Sequence, residues 1–155
     1  MNELEQKKIL DTVEYVSVLK ELVEAGEEVC LRISGNSMLP FLVHNRDDVF
    51  FHRPDRILKK GDIVFYCRDN GQYVMHRIYR VTPVGYDLVG DGQTDIECGI
   101  RREQIFGLIT KVRRKGKILT EKSLCWKFFQ FGWIKIFPMR TTLIEMYTWL
   151  QKAKK

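Results

Sequence analysis

Apolar positions in the first part of the chain recur at helical spacing: Ile9, Leu10, Val13, Val16, Leu19, Leu22 and Val23. Gly26 is placed to end that helix, and its outer face is acidic. The period then shortens to two. Val29, Leu31 and Ile33 alternate with Cys30, Arg32 and Ser34, which predicts a strand. Asp48–His52 predicts a second strand, and the turn Lys59-Lys60-Gly61-Asp62 feeds a third over Ile63–Arg68. Asp69-Asn70-Gly71-Gln72 predicts a hairpin, because Asn-Gly tolerates the positive φ of a type I′ turn. Tyr73–Val81 is the returning strand, Pro83 and Gly85 turn the chain before Tyr86–Val89, and Gln104–Arg113 is a last long strand that turns at Lys115-Gly116. Beyond Thr120 the pattern is aromatic, basic and helical. Many short strands with turns between them predict a mainly β, α+β fold. It is a small, partly open barrel or sandwich flanked by an N-terminal helix and a C-terminal helical tail. The expected segments are 1–27 for the helix, 28–118 for the β-rich domain and 119–155 for the tail. No internal repeat is visible.

Composition narrows the class. With 155 residues, 45% hydrophobic and 30% charged, the chain is neither low-complexity nor collagen-like, and it can bury a full core without staples. Its four cysteines (30, 67, 98 and 125) form no CxxC pair, and His44, His52 and His76 lie far from metal-finger spacing. No metal and no cofactor are expected, and the thiols are expected to be reduced and mostly buried. The net charge of +6 is unevenly spread: residues 1–30 carry −5, residues 31–110 carry +1 and residues 111–155 carry +10. A basic end suits an anionic membrane face, nucleic acid or an acidic partner. The first twelve residues lack the basic start and apolar run of a secretory signal. The longest apolar candidate, Leu124–Leu150, is broken by Lys127, Lys135, Pro138, Arg140 and Glu145, so no transmembrane helix is expected.

Chemistry concentrates in a few places. Ser34-Gly35-Asn36-Ser37-Met38-Leu39-Pro40-Phe41 follows a strand and sets a serine between a glycine and a proline. Gly35 permits a sharp turn or close approach, and Pro40 fixes the chain after the serine. Taken alone, this is a polar turn. A serine needs a base, and His76 lies within Val74-Met75-His76-Arg77-Ile78, sharing a strand face with Val74 and Ile78. Desolvation there favours the neutral imidazole that a general base requires, although a histidine in a strand, taken alone, is more often a satisfied core or surface residue. A carboxylate often orients such a base, and Gly90-Asp91-Gly92-Gln93-Thr94-Asp95-Ile96-Glu97 offers three. Spacing alone does not choose among Asp91, Asp95 and Glu97.

The order Gly35-x-Ser37-Met38-x-Pro40, Gly61-Asp62-Ile63-Val64, His76-Arg77-Ile78 and Gly90-Asp91 resembles the signal peptidase I superfamily, which includes self-cleaving repressor proteases. The resemblance covers Leu31 to Arg113. It implies that Ser37 is the nucleophile. It also implies that His76 is the base, as in the Ser–His type of the endoplasmic-reticulum, archaeal and spore-former enzymes. No lysine occurs in residues 61–110, so the Ser–Lys dyad of other members is not available locally. Counting from the Gly-Asp box puts the family's acid on Glu97, with Asp91 and Asp95 as alternatives. Gly35, Met38 and Pro40 are the implied substrate and oxyanion residues. Some members carry a hydroxyl two positions before the nucleophile; here that place is Gly35, so the Ser37 N–H carries more of the oxyanion role, with Ser34 a weaker helper. Typical members also have an N-terminal membrane anchor, where this chain has an acidic amphipathic helix.

The expected function is therefore a serine endopeptidase that cuts a leader, signal or precursor peptide. The alternative is a non-cleaving peptide- or partner-binding module of the same fold. Location is expected to be cytoplasmic, or peripheral at the inner membrane face. Residues 121–155 hold three Trp and four Phe with interleaved basic residues, which suits anionic lipid; the other expectation is that this tail packs on the core. In the first case a chain ending near Lys117 keeps the catalytic constellation. The acidic N-terminal 30 residues are too short for a helix-turn-helix domain, so no nucleic acid is expected.

Overall fold

The computed structural model describes residues 3–152, with the side chains of 14–150 and 152. Helix α1 spans Glu3–Glu24 and ends where Gly26 takes a φ of 96° and returns its N–H to Val23 O. Val16, Leu19 and Val23 face the core at helical spacing. Leu22, placed by its periodicity in the apolar set, stands outside with Tyr15 and Val18. The side chains of Ile9, Leu10 and Val13 lie outside the described residues.

Eight strands follow: β1 (Val29–Arg32), β2 (Asp48–His52), β3 (Ile63–Cys67), β4 (Tyr73–Thr82), β5 (Gly85–Val89), β6 (Glu97–Ile100), β7 (Ile105–Arg114) and β8 (Lys117–Thr120). They form one antiparallel, open sheet in the order β1-β2-β7-β3-β4-β5-β6, with β8 beside β7. Bulges between Phe50 and Phe51, Phe65 and Tyr66, and Ile78 and Arg80 bend it. Central strand β3 is buried on both faces, as its unbroken apolar run requires. Ile63 and Phe65 join Phe51, Met75, Phe106 and Ile109 on one face. Val64 and Tyr66 point the other way, among Ile78, Leu88, Ile100 and Leu108. The same two-residue alternation places His76 on the Tyr66 face of β4 and Arg77 on the opposite one.

The tail is α2 (Leu124–Lys127), a π-helical turn over Phe128–Gly132, α3 (Trp133–Lys135) and α4 (Arg140–Lys152). Trp126, Phe129 and Trp133 belong to the same cluster as Val16, Leu19 and Val23 of α1, so both flanking segments complete the sheet's core. The Phe41 ring lies 5.6 Å from Trp126 and 4.8 Å from Phe129. A chain ending near Lys117, expected to keep the catalytic constellation, would leave that face of the core uncovered. Among the described residues no helix is long and apolar enough to cross a membrane.

Three local expectations are corrected. The 69–72 hairpin is not type I′. Only Gly71 has positive φ (83°); Asn70 instead accepts the Gln72 N–H through its side chain at 3.0 Å, and Gly71 N–H bonds Arg68 O at 2.9 Å. The paired positive φ values of a type I′ turn occur at Lys115 (49°) and Gly116 (77°), between β7 and β8. Strands β6 and β8 carry too little apolar alternation to predict; pairing with β5 and β7 makes them strands. The four cysteines are free, but none is buried, because Cys30 and Cys98 sit on the edge strands β1 and β6 and Cys67 and Cys125 are half-covered.

Candidate active site

Ser37 lies in the turn that leaves edge strand β1 for β2. Met38, Phe41 and Leu42 are buried and anchor this turn in the core. Leu39 N–H bonds Asn36 O at 3.1 Å, and Leu42 N–H bonds Met38 O at 2.9 Å. Among the described residues the N–H groups of Ser37 and Met38 take no backbone partner, whereas Gly35 N–H is used by His44 Nδ1 at 2.9 Å. Gly35 is thus a loop-shaping residue with its donor occupied. The Met38 side chain, 2% exposed, is a core group, which corrects its expected place at the substrate surface to its backbone alone. Pro40 O receives Arg114 Nη2 at 3.2 Å.

The Gly90-Asp91-Gly92 loop presses against this turn. Gly92 N–H bonds Ser37 O at 2.7 Å, and a Cβ on Gly90 would collide with that same carbonyl, while one on Gly92 would stand 2.9 Å from Asn36 O. Only glycine permits this approach. Asp91 is fully buried and bidentate to Arg77, with Nε to Oδ1 at 2.8 Å and Nη2 to Oδ2 at 2.6 Å; Arg77 Nη1 also reaches Gly61 O at 2.9 Å. Three of the four sequence boxes therefore meet at one buried guanidinium. Asp62 closes the Gly-Asp box by accepting Arg56 and the Lys59 N–H.

His76 precedes that arginine and points to the other face, opposite Val64, with 2% exposure. Its Nδ1 lies 3.1 Å from Tyr66 Oη and 3.4 Å from Glu97 Oε1. Tyr66 donates to Glu97 Oε1 at 2.7 Å, and Arg68 binds Glu97 through Nε at 2.8 Å and through a second contact from Nη2. Burial would raise the Glu97 carboxyl, but the Arg68 and Tyr66 hydrogen bonds outweigh it and hold Glu97 below its usual range. Burial pushes His76 down to about 4, only partly countered by Glu97. The imidazole is neutral at ordinary pH. Its Nε2 has no hydrogen-bond partner among the described residues, yet it is not among the sealed unpartnered polar atoms, which are Arg114 Nε and Trp126 Nε1.

Of the three acids, the structure brings Glu97 to His76, commits Asp91 to Arg77 and leaves Asp95 exposed. Ser37 and His76 make no hydrogen bond to each other. Tyr66 escaped the sequence reading because only strand pairing sets it beside His76. The tail's share was also missed. Trp133 Nε1 donates to Asp91 O at 2.8 Å, and the buried Arg140 reaches Gly90 O at 3.2 Å and Gln93 O at 3.4 Å. A lone arginine inside an aromatic run was the available signal.

A family model described as Peptidase S24-like matches residues 2–108, a span that includes Ser37, His76, Asp91 and Glu97 and stops before the tail. No curated protein and no solved structure matches the chain.

Proposed function

Because the chain belongs to the peptidase S24-like family, we propose that it is a serine endopeptidase acting on a leader, signal or precursor peptide. Ser37 attacks the scissile carbonyl, His76 Nε2 takes its proton and returns it to the leaving amine, and Glu97 stabilises the imidazolium that forms between these steps. The unpartnered N–H groups of Ser37 and Met38 are the candidate oxyanion donors. Edge strand β1 leads into the Ser37 turn, so an extended peptide adds a strand there. The observation that carries the reading is the single-sided tethering of His76. Nδ1 is tied to a tyrosine–glutamate pair while Nε2 is left free, which is the arrangement a general base needs. The test is incubation of the full chain with a panel of precursor peptides beside Ser37→Ala. Cleavage by the parent and none by Ser37→Ala is expected; equal cleavage by both would sink the serine mechanism.

The second reading is a peptide-binding module that does not cleave. The missing Ser37–His76 hydrogen bond favours it, although such bonds commonly tighten only when substrate arrives. Binding of the same peptides without turnover would decide for it.

The proposal includes a place of work at an anionic membrane surface. Leu124 (85% exposed), Phe128 (53%) and Phe131 (57%) lie at helical spacing on the outer side of α2 and the π-helical turn, with exposed Lys122, Lys127 and Lys135 around them. Aromatic groups at headgroup level beside lysines suit anionic lipid.

A further inference from the structure

We infer that Tyr66 is a positioning residue of the catalytic centre: its hydroxyl accepts a hydrogen bond from His76 Nδ1–H while giving its own proton to Glu97. The imidazole is thereby held as the tautomer whose Nε2 lone pair is free. The inference rests on the reading of His76 as the base, and it adds a residue that no sequence box contains.

Tyr66 is fully buried on β3, two residues from Val64, which stands opposite His76. Its Oη is 2.7 Å from Glu97 Oε1 and 3.1 Å from His76 Nδ1, while Oε1 itself is 3.4 Å from Nδ1. A phenol has one proton, and an ionised carboxylate has none. Arg68 keeps Glu97 ionised, so the phenol's proton belongs to Glu97. A phenol lone pair then faces Nδ1. Two lone pairs at 3.1 Å would repel, so Nδ1 carries the hydrogen. Burial first, then the neighbouring carboxylate, pushes the Tyr66 phenol far up, so it stays protonated throughout the working range.

The hydroxyl also stands between charge and base. The charged and titratable groups that act on the ring are Tyr66 from β3, Arg68 just past the end of that strand, Glu97 from β6 and, more weakly, Asp91 just beyond β5. With the phenol interposed, the nearest partner of Nδ1 is neutral and the carboxylate is kept at the longer distance. Without it, Nδ1–H turns directly to Glu97, the imidazolium gains a closer counter-charge, and the ring protonates at higher pH.

The test is nitrogen-15 NMR of the histidine rings in the full chain and in Tyr66→Phe, which keeps the packed ring and removes only the hydroxyl. In the parent at neutral pH, His76 is expected to show a protonated Nδ1 and a bare Nε2. In Tyr66→Phe the His76 midpoint is expected to rise by about one pH unit or more. On any peptide the parent cleaves, kcat should fall about tenfold or more with KM unchanged, and the acid limb should move up with the midpoint. A proton on Nε2 in the parent overturns the inference whether or not the variant folds. So does a Tyr66→Phe protein with an unshifted midpoint. If the parent cleaves no peptide while the ring behaves as described, the protease reading fails and the role of Tyr66 in holding His76 stands.

Discussion

His76 is a neutral imidazole because burial outweighs the pull of Glu97, and this has two consequences at the scale of the residue. A base must be unprotonated, so peptide cleavage should persist below pH 6 and be lost only as pH falls through about 4. A pH–rate profile of kcat/KM checks this, and an acid limb near the ordinary histidine value of 6.5 would contradict it. The second consequence is in stability. The unfolded ring takes up a proton near 6.5 and the folded ring only near 4. Stability is therefore full above about 6.5 and declines as pH drops toward 4, by on the order of 3 kcal/mol. Urea unfolding at pH 7 and pH 4.5 should show His76→Gln losing less stability than the parent across that window. Parallel losses would mean that the ring is not buried as described.

Among elements, two acids divide the labour. Asp91 pairs with Arg77 with neither side chain exposed, and this pair joins β4 to the loop that supports Ser37. Breaking a buried pair strands a charge, so Asp91→Ala should cost roughly 3–5 kcal/mol of stability and lose activity through the fold. Glu97 is half-exposed at the start of β6 and touches Tyr66, Arg68 and the His76 ring. Glu97→Gln should leave the melting temperature near that of the parent while cleavage falls by roughly 10²-fold or more. Melting curves paired with rates separate the two. If Asp91→Ala folds normally and Glu97→Gln retains full turnover, the orienting role passes to Asp91.

For the whole molecule, the tail has two apolar faces with different fates. Trp126, Phe129, Trp133 and Ile134 are buried, and Arg140 braces the Gly90 loop from beneath. Removing any one of these large aromatic groups should cost about 3–5 kcal/mol, so a chain ending near Lys117 is expected to unfold rather than merely detach from lipid. Membrane contact is better tested on the outer face. Phe128→Ser with Phe131→Ser, or Lys122, Lys127 and Lys135 changed together to Glu, should leave the melting temperature nearly unchanged. Both sets should abolish co-sedimentation with anionic vesicles at low salt. Binding by the parent should also weaken at high salt. A parent chain that stays in the supernatant at low salt removes the membrane from the proposal.

The sequence by itself determined whatever depends on short-range pattern. Period-two alternation placed β1, and short strand-like runs between turn signals placed β2, β3, β4, β5 and β7, all to within a residue or two, while Gly26 marked the end of α1. The four boxes singled out Ser37 and His76, and counting from Gly90-Asp91 favoured Glu97. What remained open required long-range pairing. Glu97 and Asp91 are six positions apart in one acidic loop; the pairing of β5 with β6 carries one to His76, while burial of Arg77 claims the other. Tyr66 reads as one more apolar strand residue until β3 pairs with β4 and sets its hydroxyl between Glu97 and His76. An aromatic, basic tail suits a core or a membrane equally well on composition. Only the packing of Phe41 against Trp126 and Phe129 decided which of its faces is inside, because burial belongs to surfaces brought together and not to the segments that carry them.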